Sequence, residues 1–206
     1  FRYFVQHVLR IVPVESYGED WETCKRGAMI HSVLAQFHSL HPRLPLARIP
    51  NAKTGLLALL DEFVNQEKSM VPTNFQGRFL AQQLAVRSLL KQYVVFYGGE
   101  DDGWAPVAFE VSFGDVTKDK EAADASAKAF VVSTPQGDIR FRGRIDRIDE
   151  RGHQVRVIDY KTGKAPSLSH IENGKSVQLP VYVLAAEHLY PEKECTEARY
   201  FTLAEK

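Results

Sequence analysis

The sequence predicts an α/β fold in which a mixed sheet is covered by helices, and three observations carry that expectation. Apolar residues recur at helical spacing through the first half, short runs rich in β-branched and aromatic residues follow Trp104, and a late helical stretch separates the last such run from the rest. At 206 residues, with 44% hydrophobic and 25% charged, the chain is long enough for one ordinary core and too short to expect several.

The elements follow in order. From Lys25 to Leu40, Ala28, Ile30, Val33, Leu34 and Phe37 fall on one helical face, and Pro42 stops the pattern. Residues 54–67 (TGLLALLDEFVNQE) form a second amphipathic helix and residues 74–97 a third, closed by the glycine and acid run GGEDDG. Then come APVAFEVSFG, AKAFVVST, DIRFRGRIDRID and QVRVIDYK, expected as strands of one antiparallel meander with PQGD and ERGH as turns. A last helix is expected over Val177–Leu189, with Ser176 as its cap and Pro180 in its first turn, before a final strand in EARYFTL. There is no internal repeat and no low-complexity tract.

Charge narrows the function classes. Lys plus Arg and Asp plus Glu both number 26, so no overall positive field draws in nucleic acid, and any such binding must come from a local groove. Cys24 and Cys195 supply neither a disulfide framework nor a close metal-ligand pair, which points to a reducing compartment and to the cytoplasm. The opening FRYFVQHVLRIVPV is apolar but broken by Arg2, His7 and Arg10 and too short to span a bilayer, so a packed helix or extended arm is expected. The chain starts without Met in mid-pattern, as expected of a domain belonging to a longer protein.

The chemistry concentrates in FRGRIDRIDERGHQVRVIDYKTGK, residues 141–164. Alternation places Val155, Val157, Asp159 and Lys161 on one strand face, so an acid and a base become neighbours at the strand's end. If ERGH closes the hairpin with a two- or four-residue loop, Asp146 shares that face. It is expected opposite Val157 and diagonal to Asp159, roughly 7 Å away at the backbone. Asp149, three residues on, goes to the other face near the turn, beside Arg147 or Arg156, where an exposed pair contributes little. Two converging carboxylates repel unless a cation lies between them, and hard oxygen ligands suit Mg²⁺ or Mn²⁺. On such a pattern alone, a solvated Asp–Lys pair is the commoner outcome. His38, His41 and Cys24 match no common zinc spacing, and YKTGK lacks the upstream glycine of a phosphate loop.

GRIDRID, then VIDYKTG, then QLPVY, preceded by GAMIH with Gly27 and His31 and by VAFEVSFG with Glu110, resembles the RecB/AddB-type branch of the PD-(D/E)XK nuclease superfamily. The resemblance runs over nearly the whole chain and is least specific between Leu40 and Trp104. It implies a restriction-endonuclease-like core, a central mixed β-sheet flanked by helices with a helical N-terminal half. Residues 1–206 would form a single nuclease domain, helical over 1–103, with the catalytic sheet and last helix over 104–206.

Residue by residue, it implies metal ligation by His31, Asp146 and Asp159, with the Asp159 backbone or Glu110 near the same ion, and Lys161 as the catalytic lysine. Gln178 and Tyr182 match a Gln-x-x-x-Tyr motif, and their four-residue spacing independently puts both on one helix face, as substrate-positioning residues. The expected activity is hydrolysis of DNA by a divalent-metal-dependent nuclease, with single-stranded ends preferred, beside a helicase in repair or recombination. The rival expectation is a silent nuclease-like module that binds DNA or scaffolds a helicase complex. AddB-like members hold an iron-sulfur cluster on four cysteines; the two cysteines here cannot, so a cluster is expected only in a longer full-length protein.

Overall fold

The computed structural model describes residues 19–68, 71, 75–99, 101–114 and 130–203, with side chains from residue 26 onward. The expected packing of residues 1–14 lies outside them.

Three helices form one layer: α1 (Glu19–Ser39), α2 (Ala52–Lys68) and α3 (Gln76–Tyr97). The 3.6-residue period of α1 turns Ile30, Val33, Leu34 and Phe37 inward, where they meet Leu56, Leu60 and Val64 of α2 and Val86, Leu90 and Tyr93 of α3. Each fully buried leucine or isoleucine here stabilises by roughly 1.5–3 kcal/mol. Leu60→Ala would cost about 2–5 kcal/mol, because the packed helices cannot close the void.

This layer covers one face of a four-stranded sheet of order β1-β4-β5-β6. Its strands are β1 (Ala105–Phe113), β4 (Gly143–Arg151), β5 (Gln154–Lys161) and β6 (Glu194–Thr202). The first three pair antiparallel and β6 runs parallel to β5, so the sheet is mixed. Ile158, Tyr160, Phe201 and Leu203 join the core of the three helices. On the other face, α5 (Gln178–Leu189) buries Leu179, Tyr182, Ala185 and Ala186 against Ile148, Val155 and Val157. A short α4 (Leu168–Glu172) and α5 carry the crossover that a parallel pair needs. Among the described residues, no helix is long and apolar enough to cross a membrane.

Three expectations are corrected. The strands do not form one meander: among the described residues, β2 (Phe130–Thr134) and β3 (Gly137–Phe141) pair only with each other, and β4 pairs with the distant β1. The run 138–149 accordingly divides at Arg142, beside Gly143, which lies so close to the Phe113 ring that a Cβ would fall 2.7 Å from its Cζ. Val177, not Ser176, occupies the N-cap of α5, with no side-chain cap; Ser176 Oγ instead lies 3.3 Å from the Tyr200 hydroxyl.

The third correction concerns register. Gly152 and His153 alone close the β4–β5 hairpin, Gly152 taking φ +61° at the position a two-residue turn reserves for glycine. Ile148 therefore lies opposite Val157, and the register runs toward Asp146 facing Asp159 directly rather than diagonally. A two-residue loop and a four-residue loop differ by two positions, so the face of every side chain is unchanged.

Candidate metal centre

The site forms where the β4–β5 ladder stops, at the pair Arg147–Ile158. Beyond it the strands no longer bond to each other, and side chains take over the freed backbone groups. The Tyr160 N–H donates to Asp146 Oδ2 at 2.8 Å, and His31 Nε2 donates to the Tyr160 carbonyl at 3.2 Å. His31 arrives on α1, directly after the core residues Met29 and Ile30.

Asp146 Oδ1 lies 3.3 Å from His31 Nδ1, and Glu110 Oε1 lies 3.8 Å from the same nitrogen. Ligand atoms of His31, Glu110 and Asp146 fall within 4.8 Å of one another, close enough to share one ion. Glu110 reaches the site from a strained backbone, with φ +51° inside β1. For a non-glycine residue that conformation costs about 1–3 kcal/mol, at a register position of β1 that lies opposite Asp146. Arg144 Nε holds Glu110 Oε2 at 2.8 Å from the outer side.

Asp159 borders this trio with its carboxylate divided between neighbours. Gln178 Nε2 donates to Oδ1 at 2.6 Å, while Oδ2 is buried with no hydrogen-bond partner and meets Lys161 Nζ as an ion pair at 2.7 Å. Lys161 in turn donates to Gln178 Oε1 at 2.8 Å, and Gln178 Nε2 also lies 3.0 Å from the Tyr182 hydroxyl. Gln178 thus bridges acid and base, with Tyr182 behind it one turn along α5. Lys161 Nζ also stands 5.4 Å from the centre of the Tyr200 ring.

The electrostatics suit a cation. Burial raises the Asp159 pKa, Lys161 pulls it back, and the Asp146 charge raises it again. Burial likewise raises Glu110, against the attraction of Arg144. For His31 burial lowers the pKa, but the Asp146 carboxylate, then Glu110 and the Tyr160 carbonyl, raise it above its ordinary value. Crowded acids that resist ionisation and an imidazole nitrogen facing two carboxylates form a donor set that a divalent ion satisfies.

The opposite face of the same strands holds a second charged group. Asp149 is fully buried between Arg147, whose Nη2 donates to Oδ2 at 2.9 Å, and Arg156, whose Nε donates to the same oxygen at 2.8 Å. Arg147 Nη1 continues to the Tyr93 hydroxyl at 2.9 Å and the Tyr160 hydroxyl at 3.4 Å. The expected face and partners of Asp149 are found, but its exposure is corrected: α1 and α3 close over it and bring His38 and Tyr93 to the arginine.

The residues expected at the site therefore gather at one end of the sheet, His31, Glu110 and Asp146 as a trio and Asp159, Lys161, Gln178 and Tyr182 as a linked set beside it. Sequence reasoning missed Arg144 and Tyr160. Arg144 shares the strand parity of Asp146, a usable signal; Tyr160 acts through its backbone, which leaves no mark in a side-chain pattern.

The family model of the PD-(D/E)XK nuclease superfamily matches residues 1–206. A protein of Alkaliphilus metalliredigens, named as a subunit of an ATP-dependent helicase/deoxyribonuclease, is 25% identical over 195 residues, covering 89% of this chain and 16% of its own length. The protein of the same name in Enterococcus faecalis is 23% identical over 193 residues, covering 89% of this chain and 16% of itself. That of Ruminiclostridium cellulolyticum is 37% identical over 84 residues, 38% of this chain and 7% of itself. The chain thus spans a small part of the relatives it matches.

Proposed function

The chain belongs to the PD-(D/E)XK nuclease superfamily, and from that premise we propose that it is a divalent-metal-dependent deoxyribonuclease domain working beside a helicase in DNA repair or recombination. The observation that supports this most is the convergence of His31, Glu110 and Asp146 next to the linked set Asp159, Lys161 and Gln178.

His31, Asp146 and Asp159 would hold Mg²⁺ or Mn²⁺, with Glu110 on the same side. The ion, when bound, offsets charge on the attacked phosphate and lowers the pKa of a water. Lys161, with three donors on a compact ammonium, orients that water or stabilises charge developing on the phosphate oxygens. Gln178 keeps the ammonium from collapsing wholly onto Asp159 by accepting a hydrogen bond from it, and Tyr182 fixes the amide. The tyrosine accepts there from the Gln178 amide through a neutral hydroxyl, since burial pushes its pKa up to about 12.

The substrate proposed is linear DNA with single-stranded ends, because a chain of zero net charge does not supply the wide basic surface that intact duplex needs. The test is incubation with Mg²⁺ or Mn²⁺ and linear single-stranded, linear double-stranded and circular single-stranded DNA, with and without EDTA. Cleavage of the linear single strand first, none of it in EDTA, is expected. Equal cutting of circles would replace the end-dependent reading with an endonucleolytic one, and no cutting of any substrate would favour a silent binding module.

A further inference from the structure

Tyr160 offers both backbone groups to the candidate ligands, its N–H to Asp146 at 2.8 Å and its carbonyl to His31 at 3.2 Å. On this side of β5 the β4–β5 ladder has already ended, while on the other side β5 stays paired with β6 through Tyr160–Phe201 and Lys161–Thr202. A peptide that orders two ligands must itself be held to within about 0.5 Å, and a strand segment laddered on one side only is held less firmly than one laddered on both.

The side chain of the same residue supplies the support from the other face of the sheet. Its hydroxyl meets Arg147 Nη1 at 3.4 Å, and its ring stands edge-on to Tyr93 at 6.0 Å and to Phe201 at 6.1 Å. Arg147 cannot follow a displaced tyrosine, since its other nitrogens are forked onto buried Asp149, which Arg156 grips as well. Arg156 continues to Asp102, and Trp104 stacks at 5.0 Å from its guanidinium. Except for Asp102, which is exposed, the chain of contacts is buried, and in a low dielectric such networks stiffen the groups they join.

We propose that Tyr160 is a positioning residue, which transmits the rigidity of the buried Arg147–Asp149–Arg156 group through the sheet to the peptide that sets His31 and Asp146. Arg147 and Asp149, the second arginine and second acid of GRIDRID, then have a use at the site although neither touches its candidate ligands. The inference rests on the reading of His31 and Asp146 as metal ligands.

Tyr160→Phe removes the hydroxyl and keeps the ring, so the fold should survive it. Val64→Ala on α2, which packs on α1 and α3, serves as the structural control. Amide hydrogen exchange on metal-free protein should show protection at position 160 falling about tenfold relative to Val155 in Tyr160→Phe, with both amides falling alike in Val64→Ala. Calorimetric Mn²⁺ affinity should drop about fivefold in the first variant and stay unchanged in the second. An unaltered ratio between positions 160 and 155 in Tyr160→Phe would overturn the inference. Failure of the wild type to bind Mn²⁺ would instead count against the ligand assignment, and the metal-free exchange ratio would still decide the role of Tyr160.

Discussion

Asp146 and Asp149 stand three residues apart on β4 and serve opposite faces of the sheet. Asp146 turns to His31 and the Tyr160 amide, while Asp149 is sealed between Arg147 and Arg156. Strand alternation forces the separation, and the surroundings give the two acids different work.

Asp149→Asn should destabilise the protein by about 3–5 kcal/mol, because it leaves two buried guanidinium groups without their shared anion. Urea denaturation measures it. A loss under about 1 kcal/mol would show that water or Asp102 replaces the carboxylate.

Lys161→Ala should leave metal binding nearly intact and slow cleavage about a thousandfold, equivalent to roughly 4 kcal/mol of transition-state stabilisation. Its ammonium faces Asp159 and Gln178 and occupies none of the cluster formed by His31, Glu110 and Asp146. Unchanged turnover would move the chemistry to another group.

Gln178→Leu should lower kcat about tenfold to a hundredfold with little change in KM for DNA. The amide orders Lys161 and Asp159 directly, and a residue that only gripped DNA would raise KM instead. Steady-state kinetics on single-stranded DNA separate the two outcomes.

Stability should fall as the pH drops below about 6.5, the unfolded pKa of histidine. His38 is fully buried; burial, then the charge of Arg147, hold its folded pKa well below the ordinary value. The unfolded chain therefore takes the proton first, so this residue costs nothing above about pH 6.5 and destabilises progressively below it. His38→Gln should show a flatter decline between about pH 7 and about pH 5. Equal slopes in both proteins would assign the acid sensitivity to other groups.

What could be read from the sequence was periodicity. The faces of Asp146, Asp159 and Lys161 follow from a period of two, and the stripe Ile30–Phe37 from a period of 3.6, so both were legible. The register was not, because ERGH admits loops of two and four residues that preserve every face, and only the geometry at Gly152 decides between them. The pairing of β4 with β1 and the burial of Asp149 depend on contacts between distant segments, such as Tyr93 with Arg147, which no local pattern encodes. Glu110 is named through the family resemblance, but its left-handed backbone, φ +51° inside a strand, leaves no mark in the sequence.

The central claim is that a metal held at Asp146 drives cleavage of DNA, and it is tested most directly by degradation of linear single-stranded DNA by wild type and Asp146→Asn. Each would be measured with Mn²⁺ and with EDTA, after circular dichroism shows both proteins folded. The account predicts cleavage by the wild type with Mn²⁺ and none in EDTA or in the variant under either condition. Cleavage by folded Asp146→Asn at the wild-type rate, or by the wild type in EDTA, would contradict it.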